Sequence, residues 1–438
     1  MRAEDMANDN YTAIVVGAGP AGSTAALVLA RAGHDVLLIE RGVVPGAKNM
    51  FGGRLYSHAL NCIIPEFWKR APVERPVVQE IITFLHGGRS VSLTVRNSDW
   101  VGPPYHSFTL HRAEFDAWLA SEAEEAGAML ACGIHVDDLL MENGRVIGIR
   151  AGDDEMLADV VIAADGVNSQ LAQRAGLAEI DFPRQRQVAT GVKQIIELPS
   201  DVISQRFQLE GNNGAARLFV GDCTGGMRGG GFLYTNRESV SVGLVINADE
   251  LLKIRCSLID LIEDFKMNPL IAPLIDGGKV TEYSAHMIPE GGIAMMPRIF
   301  GPGILVAGDA AGLALNLGYV VRGMDFAIAS GEAAARTIIK AKKCNDFSGM
   351  GLSRYLALMK GNFVLRDLEF YRRAPEFMEN RRLFESYPEL VTSLMAEIFT
   401  VSGALPAHLF TRLINKAKKS GLSPLKLMID SWKGMVWL

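Results

Sequence analysis

The sequence predicts an α/β fold in three parts: a discontinuous domain built on a parallel sheet, an inserted antiparallel β-sheet domain, and a helical C-terminal region. Three observations predict it. A strand–turn–helix–strand pattern fills residues 11–41, a β-rich stretch begins near residue 186, and a second glycine-rich strand end follows at residues 303–312. The length of 438 residues also favours more than one domain.

The first pattern reads YTAIVVGAGPAGSTAALVLARAGHDVLLIER and is typical of a dinucleotide-binding βαβ unit. Gly17 permits the tight turn, Gly19 leaves space for a pyrophosphate, and Gly22 lets the helix pack closely on the strand. The N-terminus of the helix offers free N–H groups to the anion. Glu40 ends the second strand, where a carboxylate accepts hydrogen bonds from a ribose 2′-OH and disfavours a 2′-phosphate. The segment therefore predicts the adenosine half of FAD or NAD, and not NADP.

Composition and residue spacing exclude several classes of protein. With 49% hydrophobic residues, 21% charged residues and a net charge of −5, the chain is typical of neither a disordered protein nor a basic nucleic-acid binder. Its histidines form no HxxH or HExxH pattern and its five cysteines are scattered, so we expect no metal or iron–sulfur site and a reducing, cytoplasmic location. We also expect no signal peptide and no membrane-spanning segment.

Two glycine-containing turns are candidates for contact with a ligand. The irregular loop at residues 41–54 contains Gly52 and Gly53, which either form a surface turn or bring bare peptide groups against a flat ligand. Asp165 and Gly166 form a tight turn directly after a buried apolar strand. Ligands of open α/β sheets collect at such strand ends, which makes this turn a second candidate.

Between these turns, residues 79–97 have strand character, and Val91, Leu93 and Val95 alternate with polar residues, as expected of a half-buried strand. A helix is then predicted from about residue 111 to residue 126. Arg112 lies in its first turn, where the helix dipole disfavours a cation. We therefore expect Arg112 to pair either with a phosphate or with an acidic side chain in an ordinary salt bridge.

The chain returns to the first domain at residues 303–312, where a buried strand ends in Gly308 and Asp309. A carboxylate at this place suits the hydroxyl groups of a polyol. The loop at residues 318–323 then precedes an alanine-rich helix predicted for about residues 324–342, whose N-terminus can hold negative charge on a reduced ring. Together with the first pattern, this predicts a Rossmann-like, glutathione-reductase-type FAD-binding domain, with the ribityl chain between the two motifs.

The predicted FAD-binding domain comprises residues 1–78, 108–182 and 287–345; the β-sheet domain on the substrate side comprises 79–107 and 183–286; and a helical, basic region comprises 346–438. Within the last part, residues 412–433 carry six basic residues against one acid, with apolar residues between them. This pattern is consistent with contact to a membrane surface or an acidic partner, and equally with a solvated helix packed on the protein.

Short motifs spread over the chain are shared with one known family: GAGPAGS (17–23), ERG (40–42), KNMFGGRLY (48–56), FDAWL (115–119), EEAGA (124–128), ADGVNS (164–169), GGGFLYTN (229–236), EYSAHMIPEGG (282–292), AGDAAG (307–312) and RGMDFAIASGEAAA (322–335). On these motifs the chain resembles the FixC family of flavoproteins, which is related to electron-transfer-flavoprotein:ubiquinone oxidoreductase. The resemblance covers essentially the whole chain.

The resemblance implies one FAD per chain, with Gly52, Gly53 and the loop at residues 318–323 around the isoalloxazine ring. The flavin carries the chemistry, so no acid–base residue is expected to be catalytic. Phe51 departs from the family pattern, in which a small hydroxyl residue is usual, and this bears on the hydrogen bonding and potential of the flavin. The residues expected to bind the cofactor are Gly17, Gly19, Pro20, Ala21, Gly22, Glu40, Arg41, Lys48, Asn49, Gly52, Gly53, Arg54, Arg112, Asp165, Gly166, Gly308, Asp309, Gly318, Arg322 and Gly323.

The same resemblance implies partners. Proteins of this family take electrons from a two-subunit electron-transfer flavoprotein (FixA/FixB-like) and pass them to quinone, and a separate ferredoxin-like FixX-type subunit carries the iron–sulfur cluster. Such complexes are tied to electron bifurcation that supports nitrogen fixation or, in other bacteria, to carnitine reduction. The implied location is the cytoplasm, with peripheral attachment to the cytoplasmic face of the inner membrane as a further expectation.

Two other functions stay open at this point. A stand-alone NAD(P)H-dependent flavin monooxygenase or prenyl reductase shares the same glycine-rich and Gly-Asp elements, and direct reduction by NADH or NADPH would favour it. A flavin-bound scaffold subunit without net turnover is the other, and undiminished activity of the complex after disruption of the flavin site would favour that one.

Overall fold

A computed structural model describes residues 10–47, 53–179, 188–252, 257–401 and 408–438; the predicted contacts Lys48, Asn49 and Gly52, and the variant position Phe51, lie outside them. The strands, in chain order, are β1 (Asn10–Val16), β2 (Val36–Glu40), β3 (Arg54–Tyr56), β4 (Val73–His86), β5 (Arg89–Arg96), β6 (Ser107–Leu110), β7 (Met129–Cys132), β8 (Asp138–Glu142), β9 (Arg145–Ala151), β10 (Asp154–Ala163), β11 (Val188–Glu197), β12 (Gly214–Gly221), β13 (Gly229–Thr235), β14 (Ser239–Asn247), β15 (Lys279–Pro289), β16 (Phe300–Gly301), β17 (Ile304–Val306), β18 (Leu315–Asn316) and β19 (Val321–Arg322).

The helices, also in chain order, are α1 (Pro20–Arg31), α2 (Ser57–Ile63), α3 (Arg112–Glu125), α4 (Gln170–Arg174), α5 (Ser200–Phe207), α6 (Ala248–Leu251), α7 (Leu258–Lys266), α8 (Ala272–Ile275), α9 (Met324–Cys344), α10 (Gly349–Leu352), α11 (Arg354–Gly361), α12 (Phe363–Phe370), α13 (Ala374–Met378), α14 (Ser386–Phe399), α15 (Leu409–Lys419) and α16 (Pro424–Trp437). Short 3-10 helices lie between some of them.

The first sheet has a parallel core in the order β17-β10-β1-β2-β7, with β16 and the β8–β9 hairpin added antiparallel at its sides. The apolar residues 14–16 and 37–39 are buried, since α1 packs against α3 and α9 and these helices cover the sheet. A large hydrophobic core joins this sheet to α9, α11 and α12. The parallel order and the buried strands confirm the predicted Rossmann-like domain.

The second sheet has the order β15-β11-β14-β13-β12-β4-β6-β3, with β5 paired to β4. We predicted an antiparallel sheet, and one pair differs: β12 runs parallel to β4. A parallel pair needs a long crossover, which the residues between β4 and β12 supply. The strand β4 runs without interruption across residue 78, where we placed a boundary between the two domains. The domain bounds given above stay a prediction. The helices α5 and α7 cover one face of this sheet with a second apolar core.

The strand β5 is present, but the prediction that it is half-buried is wrong. The side chains of Leu93 and Val95 are 62% and 46% exposed. The strand β5 lies at an edge, where it pairs only with β4 among the described strands, and the packing of α14 on β4 and β5 leaves these two side chains exposed. Alternation therefore identified the strand and not its burial.

The C-terminal region is helical, as predicted, from α10 to α16. The helix α14 packs on β4 and β5, and α13 packs on α16. Within the described part of the chain, no helix combines the length and the apolar character that crossing a bilayer requires.

Candidate functional site

The glycine-rich turn between β1 and α1 has the shape of a pyrophosphate cradle. Gly17 has φ +106°, and a Cβ there would lie 2.3 Å from the carbonyl oxygen of Ala164. A Cβ on Gly22 would lie 1.9 Å from the carbonyl oxygen of Gly17. A Cβ on Gly19, the N-cap of α1, would meet nothing within 4 Å. The turn is therefore closed toward the protein and open at Gly19, where the N–H groups of the helix are free to bind an anion.

Glu40 occupies the predicted place at the end of β2. Its Oε2 accepts a hydrogen bond from the N–H of Ala18 at 3.0 Å, and its Oε1 accepts one from the N–H of Gly42 at 2.7 Å. These bonds fix the carboxylate beside the glycine turn, and its oxygens keep further lone pairs for ribose hydroxyls. Arg41, the next residue, is exposed, so its contact with a cofactor stays a prediction.

The second glycine turn packs against the first. Gly308 has φ +65°, and a Cβ there would lie 2.9 Å from the Cβ of Ala21 in α1. The N–H of Gly308 donates a hydrogen bond to Ser330 Oγ in α9 at 3.0 Å. Asp309 follows in a short 3-10 helix. Burial raises the pKa of Asp309, and the charge of Arg112 opposes this rise.

Asp165 follows β10 at the same edge of the parallel sheet. Its Oδ2 accepts a hydrogen bond from the N–H of Leu171 at 3.1 Å, and Gly166 has φ +82°. Burial raises the pKa of Asp165, although the bond from Leu171 and the charge of Arg41 lower it. The carboxylate is thus held within the turn, at the position that the sequence indicates.

Arg112 forms the salt bridge that was one of its two predicted pairings. Its Nε donates to Asp116 Oδ1 at 3.0 Å and its Nη2 donates to Asp116 Oδ2 at 2.7 Å, with both side chains buried. The charge of Asp309 also acts on Arg112, so the guanidinium lies near the second glycine turn. A guanidinium has five N–H donors, and a phosphate contact at Arg112 stays a prediction.

The loop before α9 also contains an arginine that is paired with carboxylates, as Arg112 is. Arg322 donates to Asp325 Oδ2 at 2.6 and 2.8 Å and to Asp367 Oδ2 at 2.7 Å, and its guanidinium lies over the ring of Phe326. A Cβ on Gly323, the N-cap of α9, would meet nothing within 4 Å. The N-terminus of α9 is therefore open in the same way as that of α1.

Gly53 and Arg54 lie at the start of β3, which belongs to the second sheet. The N–H of Leu110 donates to the carbonyl oxygen of Gly53 at 3.0 Å. The guanidinium of Arg54 forms two hydrogen bonds to Glu80 and one of 3.0 Å to Ser107 Oγ. The structure thus pairs Arg54 within the protein, and its predicted cofactor contact is untested.

The turns that contain Gly19, Asp165 and Asp309 follow β1, β10 and β17, which are neighbouring parallel strands. Their carboxyl ends meet at one edge, where open α/β sheets bind ligands. Asp309, Asp165 and Arg54 lie deep in the protein but keep accessible surface, as groups along an internal crevice do. With the open cradle at Gly19, these residues fit an elongated dinucleotide.

Sequence reasoning missed several members of the site. Asp116 stands four residues after Arg112, in the shared motif FDAWL, so helical spacing could have indicated it. Glu80, the partner of Arg54, comes from a separate strand, and no local pattern joins the two residues. Among the described residues, no group of three or more His, Cys, Asp or Glu side chains is arranged to hold a metal ion.

Comparison with known proteins agrees with this geometry. A family model for FAD dependent oxidoreductases matches residues 13–215, and a model for the C-terminal domain of the ETF-QO/FixC family matches residues 374–438. Protein FixC of Escherichia coli (strain K12) is 48% identical over 433 residues, which are 99% of this chain and 100% of that protein. From the same strain, YdiS, a probable electron transfer flavoprotein-quinone oxidoreductase, is 48% identical over 98% of this chain and 99% of its own length.

Solved structures show the fold. A geranylgeranyl bacteriochlorophyll reductase-like protein from Thermoplasma acidophilum is 22% identical, with a TM-score of 0.71 over 94% of this chain and 98% of that one. The myxobacterial FAD-dependent halogenase CndH is 18% identical, with a TM-score of 0.61 over 95% of this chain and 91% of that one. The matched family model confirms FAD as the cofactor. The solved structures confirm the predicted fold class.

Proposed function

We propose that this chain, which belongs to the FixC family of FAD-dependent oxidoreductases, accepts electrons from an electron-transfer flavoprotein and passes them to quinone. The observation that carries the proposal is full-length similarity at 48% identity to FixC and to a probable electron transfer flavoprotein-quinone oxidoreductase. The C-terminal match to the ETF-QO/FixC model over residues 374–438 supports it.

In this role the flavin supplies the electron chemistry, and the protein binds and orients it. The open turn at Gly19 and the N-terminus of α1 would hold the pyrophosphate, Glu40 the ribose, and Asp309 the ribityl hydroxyls. The open N-terminus of α9 would lie against the ring, where its partial positive charge favours negative charge on the reduced form.

We further propose that the chain acts as the FixC-like subunit of a FixABCX-type, electron-bifurcating complex. FixA/FixB-like subunits would be the electron donors. The five cysteines of this chain are scattered in the sequence, so a FixX-type ferredoxin-like subunit would carry the iron–sulfur cluster of the relay. Nitrogen fixation is one process that such a complex would serve.

Peripheral attachment to a membrane is part of the same proposal. The helix α16 has one apolar stripe whose members are between 42% and 78% exposed: Leu425, Met428, Ile429, Trp432, Met435 and Val436. Exposed Lys418, Lys419 and Lys426 lie in the same region. An exposed apolar face beside cations suits an anionic lipid surface. The carbonyl oxygen of Leu438, directly after α16, accepts a hydrogen bond from Tyr319 of the loop before α9, which would bring this surface near the flavin.

Vesicle sedimentation tests the attachment. A Met428→Glu/Trp432→Glu variant should bind anionic phospholipid vesicles at least tenfold more weakly than the parent, because two charges enter the apolar stripe. Met350→Glu places a charge on another exposed methionine and should leave binding unchanged. Equal binding of all three proteins would mean that the stripe does not contact lipid.

Anaerobic flavin absorbance tests the electron donor. The purified protein is mixed first with NADH or NADPH and then with reduced electron-transfer flavoprotein. We expect no bleaching by the nicotinamides and rapid bleaching by the flavoprotein. Rapid bleaching by NADH or NADPH would instead favour a stand-alone monooxygenase or reductase.

A further inference from the structure

The hydroxyls of Tyr56 and Tyr234 have no hydrogen-bond partner among the described residues. Tyr56 ends β3 and Tyr234 lies in β13, and neither hydroxyl oxygen is fully enclosed by protein. Polar groups this deep in a protein are almost always hydrogen-bonded. Both side chains are largely buried, and both hydroxyls keep accessible surface, so each is available to donate a hydrogen bond to a bound group that carries acceptors. We call these residues the tyrosine pair.

The tyrosine pair lies beside Gly53 and the Arg54–Glu80 ion pair. The ring carbon Cδ2 of Tyr234 lies 3.6 Å from the position a Cβ of Gly53 would occupy. The guanidinium of Arg54, the next residue, lies 4.8 Å from the centre of the Tyr56 ring. The charges of Arg54 and Glu80 act on both tyrosines, which places both side chains around the same ion pair.

Both hydroxyls are donors at neutral pH. Burial raises the pKa of Tyr56 and of Tyr234, and the opposing effect of the Arg54 charge does not reverse this. Arg54 itself is held by Glu80 and Ser107, so its charge is compensated and its position fixed. The ring of Phe232 stacks on Tyr234 with centroids 5.0 Å apart and extends the aromatic wall.

We propose that Tyr56 and Tyr234 donate hydrogen bonds to the carbonyl oxygens of the quinone, whose flat ring packs on the wall formed by Tyr234 and Phe232. The proposal rests on the proposed function, and it assigns the specificity-determining residues for the acceptor. Quinone carbonyl oxygens only accept hydrogen bonds, so two hydroxyl donors match them, and stacking suits a planar ring. An acceptor without carbonyls would leave both hydroxyls unsatisfied.

A route from the surface leads to the pair. His106 is exposed, and its ring contacts the ring of Tyr56 edge-on with centroids 5.4 Å apart. The ring of Trp100 stacks on His106 with centroids 5.0 Å apart. The neighbouring Val101 is 49% exposed. An apolar and aromatic strip therefore runs from solvent to Tyr56, and it suits the isoprenoid tail of a quinone whose ring is bound inside.

Equilibrium binding to the oxidised holoenzyme tests the assignment without turnover. The probe is ubiquinone with one isoprenoid unit, titrated by calorimetry against the parent, Tyr56→Phe, Tyr234→Phe and the double variant. Each phenylalanine removes one oxygen and keeps the ring, so the proteins should fold. We expect binding about 3- to 10-fold weaker per lost hydroxyl, with FAD content and flavin spectrum unchanged. Tyr283→Phe changes an exposed tyrosine of β15 and should bind like the parent.

The outcomes separate the two proposals. If the parent neither binds nor reduces the quinone, the proposed function fails, and the assignment fails with it. If the parent binds and the double variant binds equally well, only the assignment is overturned. Loss of FAD or a shifted flavin spectrum in the variants would also overturn it, since the hydroxyls would then serve the cofactor.

Discussion

Adding a side chain at Gly19 should abolish FAD binding without unfolding the protein. Gly19 has φ −78° and ψ −174°, a conformation that valine adopts, and a Cβ there meets no atom of the protein within 4 Å. In Gly19→Val the new side chain would instead fill the space beside the N-terminus of α1. If the pyrophosphate receives two charged hydrogen bonds there, at about 1.5–3 kcal/mol each, their loss weakens binding by about 3–6 kcal/mol, or roughly 10²- to 10⁴-fold.

The assay measures FAD affinity by calorimetry on apoprotein and stability by urea unfolding of the same samples. Gly22→Ala is the contrasting variant, because its Cβ would lie 1.9 Å from the carbonyl oxygen of Gly17 and should destabilise the apoprotein itself. Gly361→Val adds the same side chain at an exposed glycine with no neighbour within 4 Å and should change neither quantity. A Gly19→Val protein that retains FAD with parental affinity would refute the cradle, and one that is unfolded would refute the claim of open space.

Two further predictions concern buried charges. Burial lowers the pKa of His286 to about 4, so the unfolded chain, with a histidine pKa near 6.5, binds more protons between these values. The free energy of unfolding should therefore fall as pH drops from about 6.5 to about 4. In urea unfolding, His286→Leu should remove about 3 kcal/mol of this loss. The control variant His408→Leu, at an exposed histidine, should not. Asp116→Asn removes the carboxylate that pairs with the buried Arg112 and should destabilise the apoprotein by about 3–5 kcal/mol. The double variant Arg112→Met/Asp116→Leu should be less destabilised, because it removes both charges. Equal losses of unfolding free energy in the single and double variants would contradict the pairing.

The sequence predicted the features that depend on residues close together in the chain. Gly17, Gly19, Gly22 and Glu40 lie within one βαβ unit, so their spacing alone determines the turn and the carboxylate beside it. Arg112 was identified by its unfavourable place in a helix, and its partner is one helical turn away.

Contacts between strands could not be predicted in this way. Arg54 meets Glu80 because β3 and β4 both pair with β6, and Tyr234 joins them because β13 and β4 both pair with β12. Such registers depend on the assembled sheet. The alternation in β5 similarly reports which residues share a face, but burial depends on whether another layer covers that face.

Three arginines around the site are neutralised by the protein: Arg112 by Asp116, Arg54 by Glu80, and Arg322 by Asp325 and Asp367. An unpaired buried charge costs several kcal/mol, so these pairs let the crevice form before the cofactor binds. The helix N-termini at Gly19 and Gly323 stay open beside these pairs, since a Cβ at either glycine would meet no atom within 4 Å. If the cofactor binds as proposed, the helix dipoles of α1 and α9 would act on its pyrophosphate and its isoalloxazine ring, and the arginine pairs would set geometry more than charge.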